Sequence, residues 1–208
     1  MLNRRINPNR MELLRLRRQL DVSRRGHKLL KDKLDELIRV FLATFAENRS
    51  LRAAVEADLG AGYQLYTAAR AQAGDAALGQ ALLAGEPREL VSVETARIVG
   101  VTVPELSLAG KFQAESFSLV STPAVLDVAL DRMGELLPRL VELAGHEKTI
   151  ELLAAEIEST RRRVNALEYV LIPQQEASIK DILSKLEENE RSERIRIMKV
   201  KEMLEGEK

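Results

Sequence analysis

The chain has no cysteine and no tryptophan, and aromatic residues fill only 3% of its 208 positions. Without cysteine there is no disulfide scaffold and no thiolate-held metal, and the composition fits a reducing compartment. Few aromatics beside 31% charged residues suit a thin, solvent-exposed helical structure better than a thick core. Long apolar runs are missing too. Val40 to Ala46 and Ala76 to Ala84 fall far short of the roughly 20 residues that span a bilayer. Arg10, Glu12 and Arg15 interrupt the apolar core that a signal peptide would need.

Chemical motifs are equally scarce. Gly110-Lys111 is followed by Phe112 and lacks the first glycine of a phosphate loop. In Gly60-Ala61-Gly62, Leu65 stands where a third glycine would be needed. The two histidines, His27 and His146, are far apart and carry no metal-ligand spacing, so His27 reads as a packing residue. Carboxylates are plentiful but lie on helix faces expected to be solvated, without the pocket that acid–base chemistry requires. The expectation is a chain with no catalytic residues, no cofactor and no metal.

What the sequence does contain is two apolar ladders. Leu13, Leu16, Leu20, Leu30, Leu34, Leu37, Phe41, Leu51 and Val55 follow alternating steps of three and four, with Ser23, His27, Thr44 and Asn48 as polar members. A second ladder runs through Leu130, Met133, Leu137, Leu140, Ile150, Leu153, Ile157, Val164, Leu167 and Leu171. Such steps mark coiled-coil seams, in which polar members lower stability but fix register. One chain with two seams can fold back on itself as a mostly α, antiparallel two-helix coiled coil, a rod. Leu34, Leu37 and Phe41 are expected to face Ile157, Val164 and Leu167.

The boundaries follow from caps and breakers. Asn7 caps and Pro8 opens a helix running to about Gln72, roughly 95 Å at 1.5 Å per residue. Gly74-Asp75 stops it. A short helix spans about 76–84, closed by Gly85 and Pro87. Val91, Val93 and Thr95, then Val99, Val101 and Val103, alternate with smaller or polar residues. That is a β-hairpin pattern with its turn near Ala96-Arg97, although that dipeptide is not a favoured two-residue turn. Phe112 to Val120 is another strand-like run, open as an alternative partner. Thr122 and Pro123 begin a helical pattern of roughly 125 Å that is interrupted at Pro138, Gly145 and Pro173. Pro173 is the sharpest flaw, because an interior proline costs about 3 kcal/mol. Three segments result: an N-terminal coiled-coil helix (1–73), a small globular end with a short helix and the hairpin (74–121), and a C-terminal coiled-coil helix (122–208). The globular part is expected at the end away from the termini.

The charge is zero overall but uneven. Residues 1–31 carry ten Arg or Lys against Glu12 and Asp21. Arg10, Arg15, Arg17, Arg18, Arg24, Arg25 and Lys28 therefore read as a surface for an acidic partner. A basic coiled-coil tether or nucleic-acid-binding module is the alternative. No aromatics interleave the arginines for base stacking, so nucleic acid is not the expected partner.

One string is distinctive: Arg161-Arg162-Arg163-Val164-Asn165-Ala166-Leu167-Glu168-Tyr169-Val170-Leu171-Ile172-Pro173. It has N-terminal counterparts in Ile6-Asn7-Pro8-Asn9-Arg10-Met11-Glu12-Leu13-Leu14 and Gly26-His27-Lys28-Leu29-Leu30-Lys31-Asp32-Lys33. Together these resemble the D subunit of the archaeal and bacterial V-type (A-type) ATPases, over both helices and loosely in the middle. The resemblance makes Arg161, Arg162, Arg163, Asn165, Glu168 and Pro173 family-motif positions. It implies a central-stalk rotor that is not itself catalytic and carries torque between the ring of A and B subunits and the membrane rotor. It implies the small F subunit and the funnel-shaped C (or d) subunit as further partners, and a cytoplasmic location peripheral to the plasma membrane. The termini would enter the ring. The hairpin, through Val91, Val93, Val99 and Val101, would contact neighbouring subunits.

Overall fold

The computed structural model describes residues 9–83, 91–110 and 123–206. The order of elements is α1 (Arg10–Ala73), α2 (Asp75–Leu83), β1 (Val91–Ile98), β2 (Val101–Leu108), α3 (Ala124–Ala166), a π-helical turn (Leu167–Leu171) and α4 (Ile172–Gly206). The fold is mostly α, an antiparallel two-helix coiled coil with a short helix and a β-hairpin. It divides into two compact units, Met1–Asp35 with Glu158–Lys208, and Glu36–Ile157.

In the first unit α1 begins at Asn9, whose side-chain oxygen accepts the Met11 N–H at 3.3 Å and whose carbonyl accepts the Leu13 N–H at 3.0 Å. An asparagine in this place satisfies donors that a helix start leaves open. The expected opening at Asn7 and Pro8 lies outside the described residues. Leu13 and Leu16 pack on Ile182, with Ile179, Leu183 and Leu186 around them. Arg10 pairs with Glu190 at 2.6 Å, Arg24 with Glu176 at 2.7 Å and His27 with Glu168 at 3.3 Å. The partner number falls as the α1 number rises, so the helices are antiparallel.

Pro173 is accommodated by the π turn immediately before it. The Ile172 N–H reaches back five residues to the Leu167 carbonyl. A π turn holds one residue more than an α turn, and it absorbs the fault that a proline without an N–H would otherwise leave in the ladder. The extra residue moves the seam. Leu171, expected on it, is exposed, and Ile172 is half-buried in its place. The seam thus steps by five from Leu167 to Ile172 and then resumes through Gln175, Ile179 and Ile182.

In the second unit Leu37, Val55, Leu136 and Leu153 are buried. Arg52 pairs with Glu147 at 3.1 Å and Arg139 with Asp58 at 2.6 Å, again in antiparallel order. Gly62 permits a close approach, since a Cβ there would lie 2.9 Å from the Met133 methyl. Pro138 stays inside α3 with its ring exposed, and Gly145 does not end the helix either. α1 ends at Gly74, which adopts φ +80° and donates its N–H to the Arg70 carbonyl at 2.9 Å. This is the left-handed cap that glycine supplies at little steric cost. α2 then folds back, and Leu78 joins Ala69 and Leu126 in a cluster flanked by Tyr66, Ala73, Val125 and Leu130.

The hairpin is longer than its valine pattern suggests and turns elsewhere. β1 and β2 pair antiparallel from Val91↔Leu108 to Ile98↔Val101. The turn is Val99-Gly100, with φ of +50° and +81°, not Ala96-Arg97. Two positive φ angles in a two-residue loop match the right-handed twist of the strands. The cost falls on Val99, because a β-branched residue rarely adopts that conformation. The alternative strand, Phe112 to Val120, lies outside the described residues.

Candidate functional site

Two surfaces carry the residues singled out by sequence, one in each unit. In the first unit Arg10, Arg15, Arg17, Arg18, Arg24, Arg25 and Lys28 all point to solvent. The structure divides them by what they touch. Arg10 and Arg24 tie α1 to α4. Arg25 is held by Asp21 at 2.7 Å and Arg15 by Glu12 at 3.7 Å along α1 itself. Arg17, Arg18 and Lys28 make no ion pair among the described residues. Exposed pairs of this kind contribute at most about 1 kcal/mol each, so the helices are held chiefly by the seam.

The motif residues Arg161, Arg162, Arg163 and Asn165 belong to the same unit and are exposed. Arg162 approaches Glu158 at 3.7 Å. Arg161 and Arg163 have no acidic partner among the described residues. Glu168 is different, because it reaches across to His27. Pro173 sets the π turn, and the wider turn leaves Tyr169, Val170 and Leu171 all exposed. The unit therefore presents free guanidinium groups and a short apolar and aromatic face. Such a mixture suits a protein partner with acidic and apolar groups.

In the second unit Val91 and Val93 are exposed on β1, Val99 occupies the turn and Val101 is half-covered. Ala96, Ile98, Val103 and Leu106 of the hairpin border an open recess of about 440 Å³ against α1 and α3. Leu106 meets α3 at Gly145, where an added Cβ would sit 3.7 Å from its side chain. Glu47, Glu105, Glu142 and His146 line the same recess. The sequence gives no hint of this acidic group, because its members come from α1, β2 and α3. The one local signal is Gly145, a glycine kept inside a helix.

Two further seam residues escape a reading based on apolar periodicity. Thr149 and Thr160 are buried on α3 as Asn48 is on α1. Among the described residues no group of His, Asp or Glu is placed to hold a metal ion, and no helix is long and apolar enough to cross a membrane.

Comparison with known proteins covers nearly the whole chain. The family of the ATP synthase D subunit matches residues 12–202. The V-type ATP synthase D subunit of Acetivibrio thermocellus is 47% identical over 204 residues, which cover 96% of this chain and 92% of the relative. The protein of the same description from Thermoanaerobacter pseudethanolicus is 45% identical, over 96% of each chain. The A-type ATP synthase D subunit of Thermococcus gammatolerans is 39% identical, over 97% of this chain and 95% of the relative.

Proposed function

The chain belongs to the family of the ATP synthase D subunit, and from that membership we propose that it is the central-stalk rotor of a V/A-type ATPase or ATP synthase. It carries torque between the ATP-handling A/B ring and the membrane ion-translocating rotor and contributes no catalytic group of its own. The observation that supports this most is the construction of each unit. Two long helices are closed on each other by a buried seam and by ion pairs that cross it. A pair of helices locked along a seam resists being turned against one another, which is what a shaft must do.

In this reading the basic set from Arg10 to Lys28, with Arg161 and Arg163, faces the A/B ring. Exposed charges guide a rotor past successive subunits without fixing it, because such pairs are weak and screened by salt. The F subunit and the funnel-shaped C (or d) subunit are the remaining partners, and the complex is peripheral to the membrane on its cytoplasmic side. The outward valines Val91 and Val93 contact one of these neighbours. Deleting Ser92 to Thr102 leaves the coiled coil folded by circular dichroism and changes ATP turnover of the reconstituted complex.

The direct test is single-molecule rotation. A bead fixed to this chain in an immobilised complex turns when ATP is added, and neutralising Arg17, Arg18 and Lys28 together reduces coupled ion transport. A bead that stays still while the same complex hydrolyses ATP would rule the rotor reading out. Steep salt-dependent binding of the isolated chain to DNA would favour the nucleic-acid module instead.

A further inference from the structure

We propose that the free edge of β1 takes up an added strand from another protein chain, with β-branched side chains beside Val91 and Val93 and a lysine or arginine beside Glu94. Such a strand gives the neighbour contact of Val91 and Val93 its form, so it rests on that proposed contact but not on rotation. The two edges of the hairpin differ. Ile98 and Val101 flank the two-residue turn, so the Val101 N–H is donated to the Ile98 carbonyl. From there, hydrogen-bonded and non-hydrogen-bonded pairs alternate along an antiparallel ladder. Ser92, Glu94, Ala96 and Ile98 therefore turn their N–H and C=O groups toward β2, and Val91, Val93, Thr95 and Arg97 turn theirs outward.

On β2 the outward set includes Pro104, which stands opposite Thr95 and has no N–H to donate. Proline is tolerated in a sheet where its nitrogen faces away from the ladder. It takes a donor from the middle of the outer edge of β2. β1 has no such protection. Its eight residues include no proline and no lysine, and its register with β2 runs without a bulge. A long edge left in this state is a template for pairing with another chain.

The side chains along the edge state what fits it. Val91 is 48% and Val93 63% exposed, and Glu94, Thr95 and Arg97 are open to solvent as well. Valines on a strand pack best against β-branched or aromatic cross-strand neighbours. Glu94 stands directly across from Glu105, and neither has a cationic partner among the described residues. Like charges so placed destabilise a strand pair, and a cation on the open side of Glu94 relieves this. Arg97, on the other face, has no acidic partner among the described residues. It favours an acidic residue three positions from that cation.

The test is hydrogen exchange read amide by amide, on the full chain alone and on the intact complex that contains it. The Val91, Val93, Thr95 and Arg97 amides are expected to exchange roughly a hundredfold more slowly in the complex, whereas Glu94, Ala96 and Ile98 are held by β2 in both. Thr95→Pro removes only an outward donor, as Pro104 does across the ladder, and Thr95→Ala is its side-chain control. In the complex the proline variant loses the slowing at Val93 and Arg97 but keeps slow exchange at Glu94 and Ala96. The alanine variant behaves as the wild type. Should proline cost the hairpin itself, Glu94→Lys decides, and it reduces the slowing about tenfold. Slowing spread equally over outward and inward amides would overturn strand addition and leave the side-chain contact of Val91 and Val93 standing. Exchange unchanged throughout the hairpin would remove both. Outward amides already slow in the isolated chain would assign the edge to a segment of this chain. Slowing that grows with the concentration of isolated chain would assign it to a second copy. Either result overturns the proposal. Bead rotation is read separately, so a turning shaft with a bare edge is told apart from a paired edge on a chain that does not turn.

Discussion

α1 keeps one ladder through both units, whereas the later helices keep theirs only by breaking step. On α1 the buried residues Leu13, Leu16, Leu37, Asn48, Val55 and Ala69 fall on a single sequence of threes and fours. On the other side the ladder passes through Thr149, Leu153, Thr160 and Val164, then steps by five at the π turn and continues to Ile182. A helix with no proline in its length can follow its own period. Before Pro173 the later helices place an extra residue one turn earlier, whereas Pro138 sits inside an unbroken α3. The regularity of a seam is therefore a property of each strand of the coil separately.

The largest effect comes from testing where the seam lies. Leu37→Asp puts an unpaired charge at a fully buried position and costs about 3–5 kcal/mol. Leu171→Asp would be as damaging if the ladder ran on in regular steps. With Leu171 41% exposed, the change stays within about 0.5 kcal/mol. Urea unfolding of the two variants decides it, and equal destabilisation would return Leu171 to the seam.

That contrast also explains what was legible. The α1 ladder was readable from Leu13 to Val55, because leucine periodicity is the primary signal of an amphipathic helix, but not as far as Ala69, which is buried on it too. The same signal missed Thr149 and Thr160, since threonine does not register as apolar and its burial depends on the facing helix. It could not find the π turn, which is a response to Pro173 and leaves no apolar mark of its own. The hairpin's existence followed from its valines. Its turn did not, because Val99-Gly100 is not the Asn-Gly or Asp-Gly pair that normally marks a two-residue loop. Of the candidate surfaces, the basic one was visible as a run in the chain. The acidic recess was not, since only folding brings Glu47, Glu105 and Glu142 to one opening.

A deletion sharpens the comparison at the π turn. Removing Val170 leaves an ordinary α-helix in which Leu167 and Ile172 are four apart, so both halves of the seam stay in register. Pro173 then falls in an α-helical interior and costs about 3 kcal/mol. Adding Pro173→Ala removes that cost, and the doubly altered chain unfolds near the wild-type urea midpoint. If it is as unstable as the deletion alone, the π turn is required for something other than the proline.

The hairpin offers a smaller change in the opposite direction. Asn tolerates the left-handed conformation that Val99 is forced to adopt. Val99→Asn is therefore expected to make local opening harder by about 1 kcal/mol, read as slower hydrogen exchange across the β1 and β2 amides. An unchanged exchange rate would mean that packing of the Val99 side chain offsets its backbone strain.

The smallest effect separates the α1–α2 corner from the seam by pH. Arg70 holds Asp75 through paired hydrogen bonds. Hydrogen bonding to the guanidinium keeps the Asp75 carboxyl below its ordinary value of 3.8, opposed by burial and helped to a lesser degree by the guanidinium charge. A carboxyl with a depressed value in the folded chain stabilises it above the unfolded value. That contribution disappears as pH falls through the depressed value. The corner therefore weakens only on the acid side, below about pH 4, while the apolar seam at Leu13 and Ile182 has no group to titrate. Arg70→Gln moves the Asp75 titration, followed by NMR, up toward the ordinary carboxylate range and leaves the unfolding midpoint at pH 7 almost unchanged, because both side chains are exposed. An Asp75 titration that does not move in this variant would show that Arg70 is not what holds the carboxylate.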